Sequence, residues 1–158
     1  MSGLREQLCL PGRVGFMGIG NVDLGDDGFG VRLAERLDEV GVPGVLIADT
    51  APERFIGRAT SEGFDHLIFL DAVEFGGTAG SAIVLDAAGM AGRFPQISTH
   101  KVALGALARL VEAGGKTKAW LLGVQPESLK GGDQLTPTVQ RTLELLAELL
   151  SSRKEAFT

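Results

Sequence analysis

Apolar positions along this chain fall into two rhythms, short unbroken runs and longer stretches recurring every three to four residues, with turn-forming residues between them. Val14 to Gly20 is a short apolar run ending in Gly-Asn, which reads as a buried strand leading into a turn. Phe29, Leu33, Leu37 and Val40 then recur on one helical face. Asp26 or Asp27 can cap that helix, and Gly41 can supply its left-handed stop. A second strand is expected at Val45 to Asp49, then a segment opened by Pro52 that reads as helical through Ser61, then His66 to Asp71, the most apolar strand.

Strands alternating with helices imply parallel pairing. Between Asp71 and the next apolar stretch, Ser81 to Leu85, the connection is glycine-rich and too short for a helical crossover. The fourth strand is therefore expected to lie antiparallel to the third, as a hairpin. Ser98 or Thr99 opens a helix through Val102, Leu107, Leu110 and Val111, closed by Gly114-Gly115, and Lys118 to Val124 reads as the fifth strand. Thr136-Pro137 begins a last helix carrying Val139, Leu143, Leu146 and Leu150 at helical spacing. The expected fold is α/β: a three-layer α/β/α sandwich around a five-stranded, mostly parallel mixed sheet.

The 158 residues suit one domain, 1–158, with 1–12 and 151–158 expected to be flexible termini. A formal net charge of -5, without a lysine or arginine cluster, speaks against nucleic acid as a partner. Cys9 stands alone, so no internal disulfide forms and no cysteine pair offers a zinc knuckle. No apolar run approaches the ~20 residues that span a bilayer, and no secretory signal opens the chain, so no membrane partner and a cytoplasmic location are expected.

Ligands of open α/β sheets gather at the carboxyl ends of the strands. There the sequence places Gly20-Asn21 and Asp26-Asp27 after the first strand, Asp49 at the end of the second, Asp71 at the end of the third and Gln125 after the fifth. His100 falls in the first turn of the helix that feeds the fifth strand. A parallel sheet brings such positions to one rim, so Asp27, Asp71 and His100 could surround one borderline divalent cation such as nickel or zinc. The positive end of a helix would keep His100 neutral and able to ligate. Each residue also has an ordinary reading: Asp26 or Asp27 as a helix cap, Asp49 and Asp71 as turn caps, His100 as a surface or capping residue.

Other motifs fail. Gly18-Ile19-Gly20 starts like a dinucleotide fingerprint, but Asp23 stands where the last glycine belongs. Gly115-Lys116-Thr117 ends like a phosphate loop, yet Leu110 replaces its leading glycine and a strand follows. Asp49-Thr50-Ala51 has the aspartic-protease triplet, but those enzymes are all-β and need a second such loop. No Gly-x-Ser-x-Gly elbow is present.

Five blocks together resemble the hydrogenase maturation endopeptidases: Gly18-Ile19-Gly20-Asn21 with Gly25-Asp26-Asp27-Gly28-Phe29-Gly30, Leu70-Asp71-Ala72, Ser98-Thr99-His100-Lys101, and Leu122-Gly123-Val124-Gln125-Pro126-Glu127. Their order and spacing follow the family across residues 13 to 150. One departure is the stretch Asp49-Thr50-Ala51-Pro52-Glu53, where many relatives carry glycines after the aspartate.

The resemblance implies an endopeptidase that removes a C-terminal extension from the large-subunit precursor of a nickel-iron hydrogenase after nickel insertion. It implies nickel contacts at Asp27, Asp71 and His100, with the nickel supplied by the precursor. Asp26 and Asp49 are the nearest candidates for a general base. One rival is a nonproteolytic metal-sensing chaperone of the same precursor. A nucleotide-binding module ranks lower, because Asp26-Asp27 at the helix start opposes phosphate.

Overall fold

The computed structural model of the protein describes residues 2–93 and 103–152. Strands β1 (Val14–Ile19), β2 (Val45–Asp49), β3 (His66–Ala72), β4 (Ala82–Asp86) and β5 (Lys118–Val124) form one sheet in the order β2-β1-β3-β5-β4. The helices are α1 (Ser2–Gln7), α2 (Phe29–Glu39), α3 (Ile56–Ser61), α4 (Ala87–Arg93), α5 (Leu104–Ala113) and α6 (Pro137–Ser151).

Alternation along the central strands divides the core into two layers. Ile68, Leu70 and Ala72 of β3 share one cluster with Phe29, Leu33 and Leu37 of α2 and Val139, Leu143, Leu146 and Leu150 of α6. Leu67 and Phe69 share the other with Ala59 of α3, Met90 of α4 and Leu104, Leu107 and Val111 of α5. The three-layer α/β/α sandwich expected from the sequence is thus observed. Each fully buried leucine or phenylalanine stabilises this arrangement by roughly 1.5–3 kcal/mol relative to exposure. Among the described residues, no helix is long and apolar enough to cross a membrane.

Several expectations are corrected. β4 is antiparallel, but its partner is β5, which lies between it and β3: Ala82 pairs with Val124 and Asp86 with Trp120, while β5 pairs in parallel with β3 from His66↔Lys118 to Ala72↔Val124. The short connection after β3 therefore passes across the end of β5 instead of forming a hairpin. α5 has its N-cap at Ala103, which is extended (φ -65°, ψ 134°), so the helix starts at Leu104. Residues 94–102, including Ser98, Thr99 and His100, lie outside the described residues.

The Pro52 segment splits into a 3-10 turn, Pro52–Arg54, and α3. The first twelve residues contain α1, with Leu8 and Leu10 buried in the core, where flexibility was expected; their apolar surface is sufficient to dock them. α4 was not foreseen either. Asp86 caps it, its Oδ1 accepting the Gly89 N–H at 2.8 Å.

One glycine sets the spacing of the sheet and α2. A β-carbon on Gly30 would collide with the Leu70 carbonyl oxygen and come within 2.5 Å of that of Ile19. Only glycine lets the first turn of α2 settle onto the carboxyl ends of β1 and β3.

Candidate functional site

Ionised side chains are costly to bury unless paired or hydrogen-bonded. The buried polar and charged residues described are Asp26, Asp27, Asp71, Thr117 and Gln125, and all except Thr117 lie at the carboxyl rim of the sheet. That concentration of buried carboxylates marks the rim as the candidate site.

Asp27 belongs to a 3-10 turn, Gly25–Gly28, between β1 and α2, and is 4% exposed. Its Oδ2 accepts the Asn21 N–H at 3.0 Å, which ties the carboxylate to the turn leaving β1. Asp71 is fully buried near the end of β3, opposite Gly123 of β5. Strand alternation sets Asp71 on the same face as Leu67 and Phe69, the face covered by α5. β1 and β3 are neighbours, with Gly18 paired to Leu70, and the turn that carries Asp27 packs against β3, so the two residues lie on adjoining elements. The topology brings Asp27 and Asp71 to one rim, as the sequence led us to expect.

Asp26 is engaged otherwise. Its Oδ2 accepts the N–H groups of Glu127 and Ser128 at 2.9 and 3.1 Å, and its Oδ1 accepts the Thr136 N–H at 2.7 Å. The Thr136 hydroxyl also donates to this carboxylate, at 2.9 Å from Oδ2. A fully buried carboxylate with these donors is a structural anchor for the 127–136 loop and is poorly placed to collect a proton. Neither aspartate caps α2; Gly28 holds the cap position and no side-chain cap bond forms.

Asp49 ends β2 with an exposed side chain. It is the only non-glycine residue described with positive φ, at 53°. Its carbonyl accepts the Gly20 N–H at 2.8 Å, so the strained residue is locked beside the loop that carries Asp27.

Gln125 turned out to be a fastener. Its Oε1 accepts the Phe75 and Gly77 N–H groups at 3.0 and 3.2 Å, holding the β3–β4 connection over the end of β5. The sequence placed Gln125 at the rim but gave no sign of that task. It likewise marked Thr136 only as a cap, whereas its hydroxyl binds Asp26.

His100 lies outside the described residues, so the structure gives no position for the third residue of the expected set. Among the described residues, no group of three histidine, cysteine, aspartate or glutamate side chains is arranged to hold a metal ion.

Residues 31–153 match the HycI family model, described as hydrogenase maturation protease. The Hydrogenase 2 maturation protease of Escherichia coli K12 is 31% identical over 153 residues, covering 91% of this chain and 92% of that protein. The crystal structure of a NiFe hydrogenase maturation protease HycI from Thermococcus kodakarensis KOD1 superposes with a TM-score of 0.84 at 31% identity, covering 95% of this chain and 97% of the other. The hydrogenase maturating endopeptidase HybD from E. coli gives a TM-score of 0.75 at 30% identity, with 92% and 94% covered.

Proposed function

This chain belongs to the hydrogenase maturation protease family and is a hydrolase of peptide bonds, and from that premise we propose that it removes a C-terminal extension from the large-subunit precursor of a nickel-iron hydrogenase once nickel has been inserted. Membership among proteases displaces the reading as a nonproteolytic chaperone. A cytoplasmic location accords with the lone cysteine and with such a substrate.

The observation that carries the nickel reading is the pair of buried carboxylates, Asp27 on the turn after β1 and Asp71 near the end of β3, on adjoining elements. In this account nickel arrives as part of the substrate, held by thiolates of the precursor. Asp27 and Asp71 offer it hard oxygen ligands, and His100 joins them by the family resemblance. The Asn21 N–H, bonded to Oδ2, fixes the orientation of the Asp27 carboxyl group.

Nickel brings a positive charge that can polarise the scissile carbonyl. Asp49 is the carboxylate available for proton transfer, since Asp26 is occupied by the 127–136 loop. Asp49 takes a proton from the attacking water as its oxygen bonds to the carbonyl carbon. The carbon–nitrogen bond then breaks, and the departing amine receives that proton.

Binding to nickel-loaded and nickel-free precursor tests the ligand assignment. Asp71→Asn should erase the preference for the loaded form and leave the weak affinity for the nickel-free form unchanged. Equal weakening towards both forms would give Asp71 a structural role only.

A further inference from the structure

Among the described residues, the large apolar side chains left exposed are Leu24, Val40, Leu110, Leu129 and Leu145. Val40 and Leu145 line a groove of ≈ 320 Å³ between α2 and α6, at the end of α2 remote from the rim. Leu110 projects from α5. Leu24 and Leu129 differ, because Leu24 immediately precedes the turn that carries Asp27 and Leu129 stands on the 127–136 loop that Asp26 anchors.

Those two loops are stitched together. Gly25 N–H donates to the Gly132 carbonyl at 2.9 Å, Gly132 N–H to the Asp23 carbonyl at 3.0 Å, and Asp26 N–H to the Ser128 carbonyl at 3.0 Å. Asp26 adds its carboxylate from the other side, accepting Glu127 and Ser128 N–H. Gly25 has φ +54°, and a β-carbon there would stand 2.8 Å from the Lys130 carbonyl oxygen and 2.9 Å from that of Ser128, the two neighbours of Leu129. Leu24 is tied to Asp27 in turn, its carbonyl accepting the Asp27 N–H at 3.1 Å within a 3-10 turn.

A buried carboxylate and a ladder of backbone bonds therefore hold in place a pair of loops that leave Leu24 43% and Leu129 40% exposed. Two exposed leucines held on adjoining, hydrogen-bonded loops beside a reactive rim suit a partner. We propose that Leu24 and Leu129 form a docking point for the precursor polypeptide, receiving apolar side chains of the segment next to the bond that is cut. The occupant follows from continuity: Leu24 sits within one turn of Asp27, Leu129 stands on the loop bonded to the adjacent Asp26, and a protease must hold peptide beside the atoms it acts on. The inference rests on the protease reading above and adds to it which surface selects the substrate.

The test is the double variant Leu24→Ser/Leu129→Ser against Leu110→Ser as control, with purified nickel-loaded precursor as the probe. Cleavage rates on gels give KM and kcat, and sedimentation gives the oligomeric state. The double variant should raise KM about tenfold and leave kcat within about twofold, as expected for lost apolar contact, while the control behaves as wild type. Unchanged KM in an active double variant would overturn the docking point alone. So would a wild-type dimer that the substitutions dissociate without moving KM, since the patch would then belong to a second copy. A wild-type protein that leaves the loaded precursor intact would overturn the protease reading, and this inference with it.

Discussion

The backbone N–H of Thr136 donates to Oδ1 of Asp26 at 2.7 Å across 110 positions of sequence, joining the entry to α6 to the turn after β1. Adjacent aspartates thus have separate tasks. Asp26 faces the 127–136 loop and holds it; Asp27 lies on the turn beside β3 and is tied to Asn21.

Asp26→Ala should therefore destabilise the protein by about 3 kcal/mol, because several N–H groups lose a charged acceptor at once. Urea denaturation followed by circular dichroism measures it. A loss below about 0.5 kcal/mol, the range of ordinary surface changes, would contradict the anchoring role.

Asp27→Asn should keep the fold and abolish processing of nickel-loaded precursor. The amide oxygen can still accept the Asn21 N–H, so thermal stability should stay near wild type, while the charge offered to nickel is gone. Normal trimming by this variant would remove Asp27 from the mechanism.

The layers were legible because apolar periodicity reports which face of an element is buried. β2 and β5 begin and end where the apolar runs do, at Val45–Asp49 and Lys118–Val124. Gly41, read as a left-handed stop, has φ +86° just beyond α2. The partner of β4 was not legible: spacing shows that its connection is short, but not that β5 inserts between β3 and β4. α4 escaped because Ala87–Arg93 is small and glycine-bearing, with Met90 as its one fully buried side chain. At the candidate site, strand topology pointed to the rim where Asp27 and Asp71 are buried. The occupation of Asp26 was hidden because its partners lie about a hundred residues downstream, where no local pattern points to them.

Two glycine substitutions should move stability in opposite directions. Gly30→Ala forces a methyl group onto the Leu70 carbonyl and should cost about 2–3 kcal/mol, displacing α2 from the rim and lowering cleavage as well. Gly57 lies within α3 with nothing within 4 Å of a β-carbon, so Gly57→Ala should stabilise by about 0.5–1 kcal/mol. Denaturant midpoints compare the two, and a stable Gly30→Ala protein would refute the close approach.

Arg36 grips Glu144 through two hydrogen bonds, at 2.6 and 2.9 Å, and Gln140 adds a third at 2.8 Å. The Arg36 hydrogen bond foremost, then that of Gln140, hold the Glu144 carboxyl below the usual carboxylate range. A folded-state pKa below the unfolded one stabilises above the unfolded value, about 4.3, and the gain disappears as pH falls through the folded value. Glu144→Gln should accordingly melt slightly below wild type at pH 7, and the gap should close in acid. A gap that widens on acidification would contradict the sign.

Nickel gating is the central claim and can be tested directly by the intact mass of a large-subunit precursor incubated with this protein, with and without nickel loaded. The account predicts a mass drop equal to a C-terminal fragment in the loaded sample alone. Cleavage of the nickel-free precursor at the same rate would contradict it.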